Sequence, residues 1–324
     1  MHRVTLVVLG LLMAVLSVSQ ARSARADAIA LLTSISGKVE ITKSQTRSKR
    51  LAAIGDRLFE NDILQTRKNA TASLLFTDGT IVKIFSNTRL SLTLKAKSEA
   101  MGSRQIGSLS KGILKGVKDI FSGETKKETL TAVPGIRKKI EEELGGVRVL
   151  YPRNSAILTT EPAFRWQTIS QQGAFTVSLT LKGMGGSLWS IRADTTGVPY
   201  PTGKPQLKRG TTYFLRVENE KKHDSYDEIF FRIMDGQEVA EVKRYAAEME
   251  DLRTTNPDDV TPLFLLANYY SQKGLHHVAL STLEALEKHP SAERFVLEQK
   301  MGLFFKMGMW KKWEEANQKL NAMK

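Results

Sequence analysis

Ala70-Thr71-Ala72-Ser73-Leu74-Leu75-Phe76-Thr77-Asp78-Gly79-Thr80-Ile81-Val82-Lys83-Ile84 is the stretch that decides how this chain is read. Ala70, Ala72, Leu74 and Phe76 alternate with Thr71, Ser73, Leu75 and Thr77, and a period of two places one side-chain set on a single face of a strand. Asp78-Gly79 follows. Glycine tolerates positive φ and aspartate bonds its own downstream backbone, so a two-residue reversal is expected before Val82 and Ile84 resume the alternation. The prediction is a β-hairpin with one buried face.

Working outward, Ile29 to Thr33 and Ile35 to Ile41 read as opening strands with Gly37 as a bend between them. Residues 42–50, with Lys43, Arg47, Lys49 and Arg50, lack apolar periodicity and read as a solvent-exposed loop. Leu90 to Leu94 alternates as one more strand, and from Lys95 to Gly107 the pattern fades into loop. Val117 to Phe121 is a short apolar patch. Asp56 and Asp62 read as turn caps rather than as a converging acid pair.

Gly37-Lys38-Val39, Gly55-Asp56-x-Leu58, Asn61-Asp62-x-Leu64-x-Thr66, Asn69-Ala70-x-Ala72-x-Leu74, Asp78-Gly79-Thr80 and Asn87-Thr88-x-Leu90 stand in one order. That series resembles the periplasmic domain of the FecR family of iron-dicitrate transport regulators and the stand-alone envelope proteins sharing its fold. The resemblance covers about residues 29–94, and Leu109 to Leu114 reads as a further family strand. It implies an all-β unit in the cell envelope, in which Gly55, Asp56, Asp62, Thr66, Asp78, Gly79 and Asn87 are structural motif residues. Where the family continues with an Arg-Gly-Thr strand, this chain has Ile136-Arg137-Lys138-Lys139 and Glu141-Glu142-Glu143.

A second all-β unit is expected from Val147. Pro162-x-Phe164-x-Trp166 puts two aromatic rings on one strand face, and further alternating runs come at 175–181, 188–191, 212–217 and 229–233. Turn signals at Gly183 to Gly186, Pro199 to Pro205 and Lys208-Arg209-Gly210 divide them, a spacing that favours a β-sandwich. The aromatic opening and Leu207-x-x-Gly210-x-x-Tyr213-x-x-Arg216-Val217 resemble fibronectin type III and related immunoglobulin-like modules.

The period then changes. Val239, Val242, Tyr245, Ala246, Met249 and Leu252 follow helical spacing to Asn256-Pro257, and a helix pair at 262–272 and 277–288 turns on Gly274. Aligning Gly274 on Gly308 gives an offset of 34 residues, at which Leu263 matches Leu297, Tyr270 matches Phe304, Leu275 matches Met309 and Leu286 matches Leu320. Leu266, Ala267, Tyr270, Gly274, Ala279 and Leu283 are similar to the tetratricopeptide pattern; Trp313 departs from it at the small-residue position of Ala279. The fold class expected is two all-β units followed by an all-α helical tail. The divisions are 1–26 signal peptide, 27–133 FecR-like domain, 134–146 linker with a short helix, 147–235 sandwich and 237–324 helical repeats.

Bulk properties narrow the function. Of 324 residues none is cysteine, so neither a disulfide nor a lipid-bearing thiol is expected. His2-Arg3, the apolar run 4–18 and the small residues around Ala24 to Ala26 read as a cleaved export signal, shorter than the ~20 apolar residues of a spanning helix. After cleavage the chain is expected in the periplasm or envelope, not integral to the membrane and out of reach of nucleic acid. Residues 27–150 carry 22 Lys and Arg against 13 Asp and Glu, whereas 151–324 carry 23 against 21. The basic excess of the first unit suits peptidoglycan or another anionic envelope polymer.

Chemistry is sparse. His223, His276, His277 and His289 form no His-Glu-x-x-His, no Gly-x-Ser-x-Gly is present, and Gly183-Met184-Gly185-Gly186 does not open a helix. No catalytic residue, metal or cofactor is expected. Tyr270, His277, Trp310 and Trp313 are the candidates for contact with a partner protein or peptide on the helical repeats. The expectation is a non-enzymatic envelope scaffold, against two alternatives: a periplasmic signalling component related to FecR-type regulators, and a cell-wall enzyme.

Overall fold

In the computed structural model the residues described are 27–93, 102–109, 121, 146–168, 173–181 and 186–323. The expected signal, the linker helix and residues 182–185 of the glycine turn lie outside them. Nine strands come first: β1 (Ala30–Ser36), β2 (Val39–Thr42), β3 (Lys49–Leu51), β4 (Arg57–Leu58), β5 (Ile63–Thr66), β6 (Thr71–Phe76), β7 (Thr80–Ile84), β8 (Arg89–Ser91) and β9 (Ser103–Ser108). They form a five-stranded sheet β4-β1-β6-β7-β9 and a four-stranded sheet β3-β2-β5-β8. Leu32, Ile41, Leu64, Leu74, Phe76 and Val82 share one core between the two sheets. Each such side chain, once buried, contributes about 1.5–3 kcal/mol.

The expected hairpin is present, with Leu74 opposite Val82 and Leu75 opposite Ile81. Its turn is one residue longer than the sequence suggests. Thr77, Asp78 and Gly79 separate the strands; the Gly79 amide bonds the Phe76 carbonyl at 2.9 Å, the Thr80 amide bonds Asp78 Oδ1 at 3.1 Å, and Gly79 takes φ 88°. A tight turn followed by a left-handed glycine is the usual three-residue solution. Two further expectations are corrected. Lys49–Leu51 pairs with β2 instead of lying wholly in loop, and β9 pairs with β7 where the pattern had faded.

A larger difference concerns burial. The hairpin was expected to bury one face, yet Ser73 and Leu75 are as buried as Leu74 and Phe76, and β1 is buried on both sides from Ala30 to Ser34. The second face is covered by the C-terminal helices.

Eight strands follow: β10 (Val147–Tyr151), β11 (Ser155–Ile157), β12 (Phe164–Thr168), β13 (Phe175–Leu181), β14 (Ser187–Ala193), β15 (Gly197–Val198), β16 (Thr212–Asn219) and β17 (Lys222–Ile233). They make sheets β10-β12-β15 and β11-β17-β16-β13-β14, antiparallel except for β11 against β17. Phe164 and Trp166 sit fully inside, as the Pro-x-Phe-x-Trp spacing requires, with Phe164 edge-on to Trp189 at 5.7 Å and Trp166 edge-on to Phe175 at 5.6 Å. Such contacts add about 0.5–1.5 kcal/mol beyond area burial.

Five helices close the described chain: α1 (Gly236–Thr255), α2 (Thr261–Gln272), α3 (His276–Leu286), α4 (Glu293–Met307) and α5 (Trp310–Ala322). α1 opens on a capping box. The Glu238 amide bonds Asp235 Oδ1 at 2.8 Å and the Asp235 amide bonds Glu238 Oε2 at 3.0 Å. Arg232 of β17 grips the same Glu238 through both nitrogens, at 2.6 and 2.8 Å, and this pairing brings its carboxyl down to about 2. The last strand and first helix are thereby tied across Met234. Gly274 and Gly308, at φ 75° and 67°, reverse the chain at the two points that the 34-residue offset singled out.

The helices do not trail away from the strands. Val242, Tyr245, Met249, Phe264, Leu265 and Phe295 form a single core with Leu31, Leu75 and Ile81 of the five-stranded sheet. Polar groups match across this seam: Ser73 Oγ donates to Asp259, Thr33 Oγ1 lies 2.7 Å from Thr261 Oγ1, and Ser291 Oγ donates to the Ile35 carbonyl at 3.0 Å. Asp259 also accepts from the Thr261 amide at 2.8 Å, so one buried carboxylate holds the turn leading into α2 and ties it to β6.

Gly37 gives a test of the first core. At φ 73°, an added Cβ would stand 2.9 Å from both Ala70 Cα and the Asn69 carbonyl oxygen; Gly203, at φ 76°, has nothing within 4 Å. Gly203→Ala is expected to cost only the left-handed penalty of about 1–2 kcal/mol. Gly37→Ala adds a backbone collision and is expected to cost about 2–4 kcal/mol. Urea midpoints of the two variants measure the difference, and equal costs would refute the close packing of the β1–β2 bend.

Candidate interaction site

The motif residues of the first unit all serve turns. Gly55 takes φ 90°, with Phe295 of α4 so close that a Cβ would sit 3.2 Å from its ring. Asp56 accepts two bonds from Arg50 and one from the Ala53 amide, each at 2.7 Å. Asp62, 1% exposed, accepts from Lys43 Nζ at 2.7 Å, the Ser44 amide at 2.9 Å and the Phe59 amide at 3.1 Å. Burial alone would push its carboxyl up, but these three donors outweigh burial and hold it below the usual carboxylate range. Thr66 Oγ1 accepts from the Thr88 amide at 2.9 Å and donates to the Phe85 carbonyl at 2.5 Å, while Asn87 takes φ 57° in that same turn. These seven residues are spread over separate turns and do not converge on a common cavity.

The four aromatic and imidazole candidates on the helices are differently placed. Tyr270 and Trp313 are 9% and 3% exposed and pack inward. Trp310 stands edge-on to Phe305 at 5.5 Å, half-buried. His277 faces the β-strands instead of open solvent: its Nε2 accepts from the Arg153 amide at 3.1 Å and its ring meets Tyr151 edge-on at 4.8 Å. Burial first, then the positive charge of Arg165, Arg153 and Lys312 and the neighbouring His276, bring its pKa down to about 4. The ring is therefore neutral at pH 7 with its proton on Nδ1, because Nε2 is accepting.

Around His277 lies a junction that sequence reasoning missed. Residues of β10, β11 and the segment between them bond the helix turns at both Gly274 and Gly308. The Ala156 amide bonds the Gly274 carbonyl at 2.8 Å, and the His276 amide bonds Ser155 Oγ at 3.1 Å. His276 Nδ1 lies 2.8 Å from the Asn154 carbonyl. At the second turn, Arg153 Nε donates to the Met307 carbonyl at 2.7 Å and Arg148 donates to the Gly308 carbonyl. Two guanidinium groups thus meet the C-terminal end of α4, where unpaired carbonyls and the helix dipole favour cations. Arg153 Nη1 also bonds Asp227 Oδ2 at 2.6 Å, and the Val149 amide bonds that same oxygen at 2.9 Å. The only sequence signal was the repeat of glycine at an offset of 34; nothing in Pro152-Arg153-Asn154 announces what it grips.

The outward faces remain. Leu51, Glu40, Gln65 and Arg89 form one row across the four-stranded sheet on the face away from its core. Glu40 Oε2 lies 2.5 Å from Arg67 and 3.2 Å from Lys49, and its Oε1 lies 3.8 Å from Lys38. Among the described residues no group of three or more His, Cys, Asp and Glu could hold a metal ion, and no helix is long and apolar enough to cross a membrane. Neither a family model nor a curated protein matches the chain.

Proposed function

We propose that the chain is a non-enzymatic binding protein of the cell envelope that works as a rigid scaffold. In this reading the strands up to β9 are a FecR-like unit, β10 to β17 a fibronectin-like sandwich and the helices tetratricopeptide-like repeats. The observation that carries the proposal is the use of the repeat turns: Gly274 and Met307 give their carbonyls to Ala156 and Arg153. A helical array that spends its turns and one face on the chain's own strands acts as an internal clamp. The partner, an envelope protein or wall polymer, then meets surfaces already held at fixed spacing, so little ordering entropy is lost on binding.

The test is retention of a partner from envelope extract by the intact protein, compared with Arg153→Met, which loosens the clamp without touching an outer face. Retention about tenfold weaker in the variant is expected if two surfaces engage together. Equal retention by both proteins, or release of soluble fragments from purified wall, would overturn the scaffold reading; fragment release would favour an enzyme instead.

A further inference from the structure

We infer that the outer face of the sheet β3-β2-β5-β8 is a docking surface for a linear phosphate-bearing polyanion. It rests on the binding-protein reading only in that this face is free to meet a partner. Strand alternation sends Val39, Ile41, Leu64 and Leu90 inward, and Glu40, Gln65 and Arg89 outward. Lys38, Lys49 and Arg67 crowd around the single carboxylate of Glu40, within 3.8 Å. Arg89 stands in the same row, exposed, with no carboxylate within ion-pair distance among the described residues. Among the described residues, four cations against one acid leave a net charge of +3 on this sheet face.

The geometry selects the class of partner. From Leu51 on β3 to Arg89 on β8 the row crosses three strand spacings, about 14 Å. Lys49 stands on the same face one side-chain step along β3 from Leu51, a span that suits successive charges on a chain lying across the strands. The cations already share one carboxylate, so an isolated carboxylate ligand would only exchange like for like. A phosphate chain carries more charge per unit length and displaces Glu40 from its partners more effectively. A membrane fits less well, since Leu51, 63% exposed, is the one strongly exposed large apolar side chain in these four strands. Beside it opens a groove of about 420 Å³ between Ile35, Lys38, Leu51 and Ser291, with room for an uncharged part of the polymer.

The experiment uses the full chain and inorganic polyphosphate of fixed length, with affinity read by fluorescence anisotropy at low salt and again at about 0.3 M, where exposed charges are screened. Lys49→Gln/Arg89→Gln leaves the Arg67–Glu40 pair in place, and is expected to weaken binding about tenfold. Lys208→Gln/Lys222→Gln, with the same change of net charge on the other β unit, is expected to stay within about twofold. Thermal midpoints confirm that both variants fold. Equal loss in both variants would overturn the assignment to this face. Equal affinity for polyglutamate would overturn the assignment to phosphate, and binding to anionic vesicles but not to polyphosphate would overturn the choice of a polymer. Retention of an envelope partner without polyphosphate binding would sink this inference while leaving the scaffold reading standing.

Discussion

Arg153→Met is expected to lower the stability of the intact chain by about 3 kcal/mol, the lower end of what removing one partner from a buried ion pair costs. The residue is 4% exposed. Its guanidinium donates to the Met307 and Val149 carbonyls and to Asp227, at 2.7, 3.0 and 2.6 Å. Methionine fills much of the same volume but supplies none of those donors, so two carbonyls and a carboxylate lose a partner away from bulk water. Arg148, with Nε 4.0 Å from Asp227, moderates the loss and keeps it at the low end of the range. A urea titration followed by far-ultraviolet circular dichroism measures the change. Adding Asp227→Asn should return part of the stability, because the second substitution removes the charge that the first strands. A loss below about 1 kcal/mol would mean that water already reaches this junction.

The particular residues explain what the sequence made legible and what it hid. Asp78-Gly79 announces a reversal through local chemistry, and the structure differs there by a single residue of turn. Phe164 and Trp166 declare a buried strand face for the same reason, since period and side-chain size are local properties. Leu75 and Ser73 show the limit. Their burial depends on Phe264, Met249 and Asp259, which stand some 180 residues later, and no local pattern encodes a surface brought from so far away. β9 was missed because Ser103-Arg104-Gln105-Ile106-Gly107-Ser108 carries almost no apolar alternation. It joins by backbone pairing to an edge that β7 leaves open. Likewise β11 has only three residues and takes its place parallel to β17, far along the chain. As for the site, the basic excess of the first unit was legible as a count, but its concentration on one sheet face required the register of β2, β5 and β8.

Acid should loosen the same junction through His277. In the folded chain this imidazole is held at a pKa of about 4, against an ordinary value of 6.5, chiefly by burial. His276, also pushed down mainly by burial, acts in the same direction. Between those pH values the unfolded chain binds a proton that the folded chain refuses, so stability falls as pH falls. The stabilisation is fully present above pH 6.5 and is lost as the pH approaches 4; 2.5 pH units correspond to about 3 kcal/mol at most. The geometry explains why the proton is unwelcome. Nε2 already faces the Arg153 amide, so a second N–H there would point donor against donor, with Arg165, Arg153 and Lys312 adding repulsion. Asp227, the carboxylate that Arg153 bonds, is already engaged by that guanidinium and the Val149 amide. Glu238, brought down to about 2 chiefly by Arg232, titrates in a separate and more acidic window and does not blur the reading. Urea midpoints taken from about pH 7.5 to 4.5 should therefore stay nearly level down to about pH 6.5 and fall below it in the unaltered chain. In His277→Gln, whose amide oxygen can accept from the Arg153 amide without titrating, most of that slope should vanish. If both proteins lose stability equally over that interval, the imidazole at the repeat turn does not govern how firmly the strands are clamped.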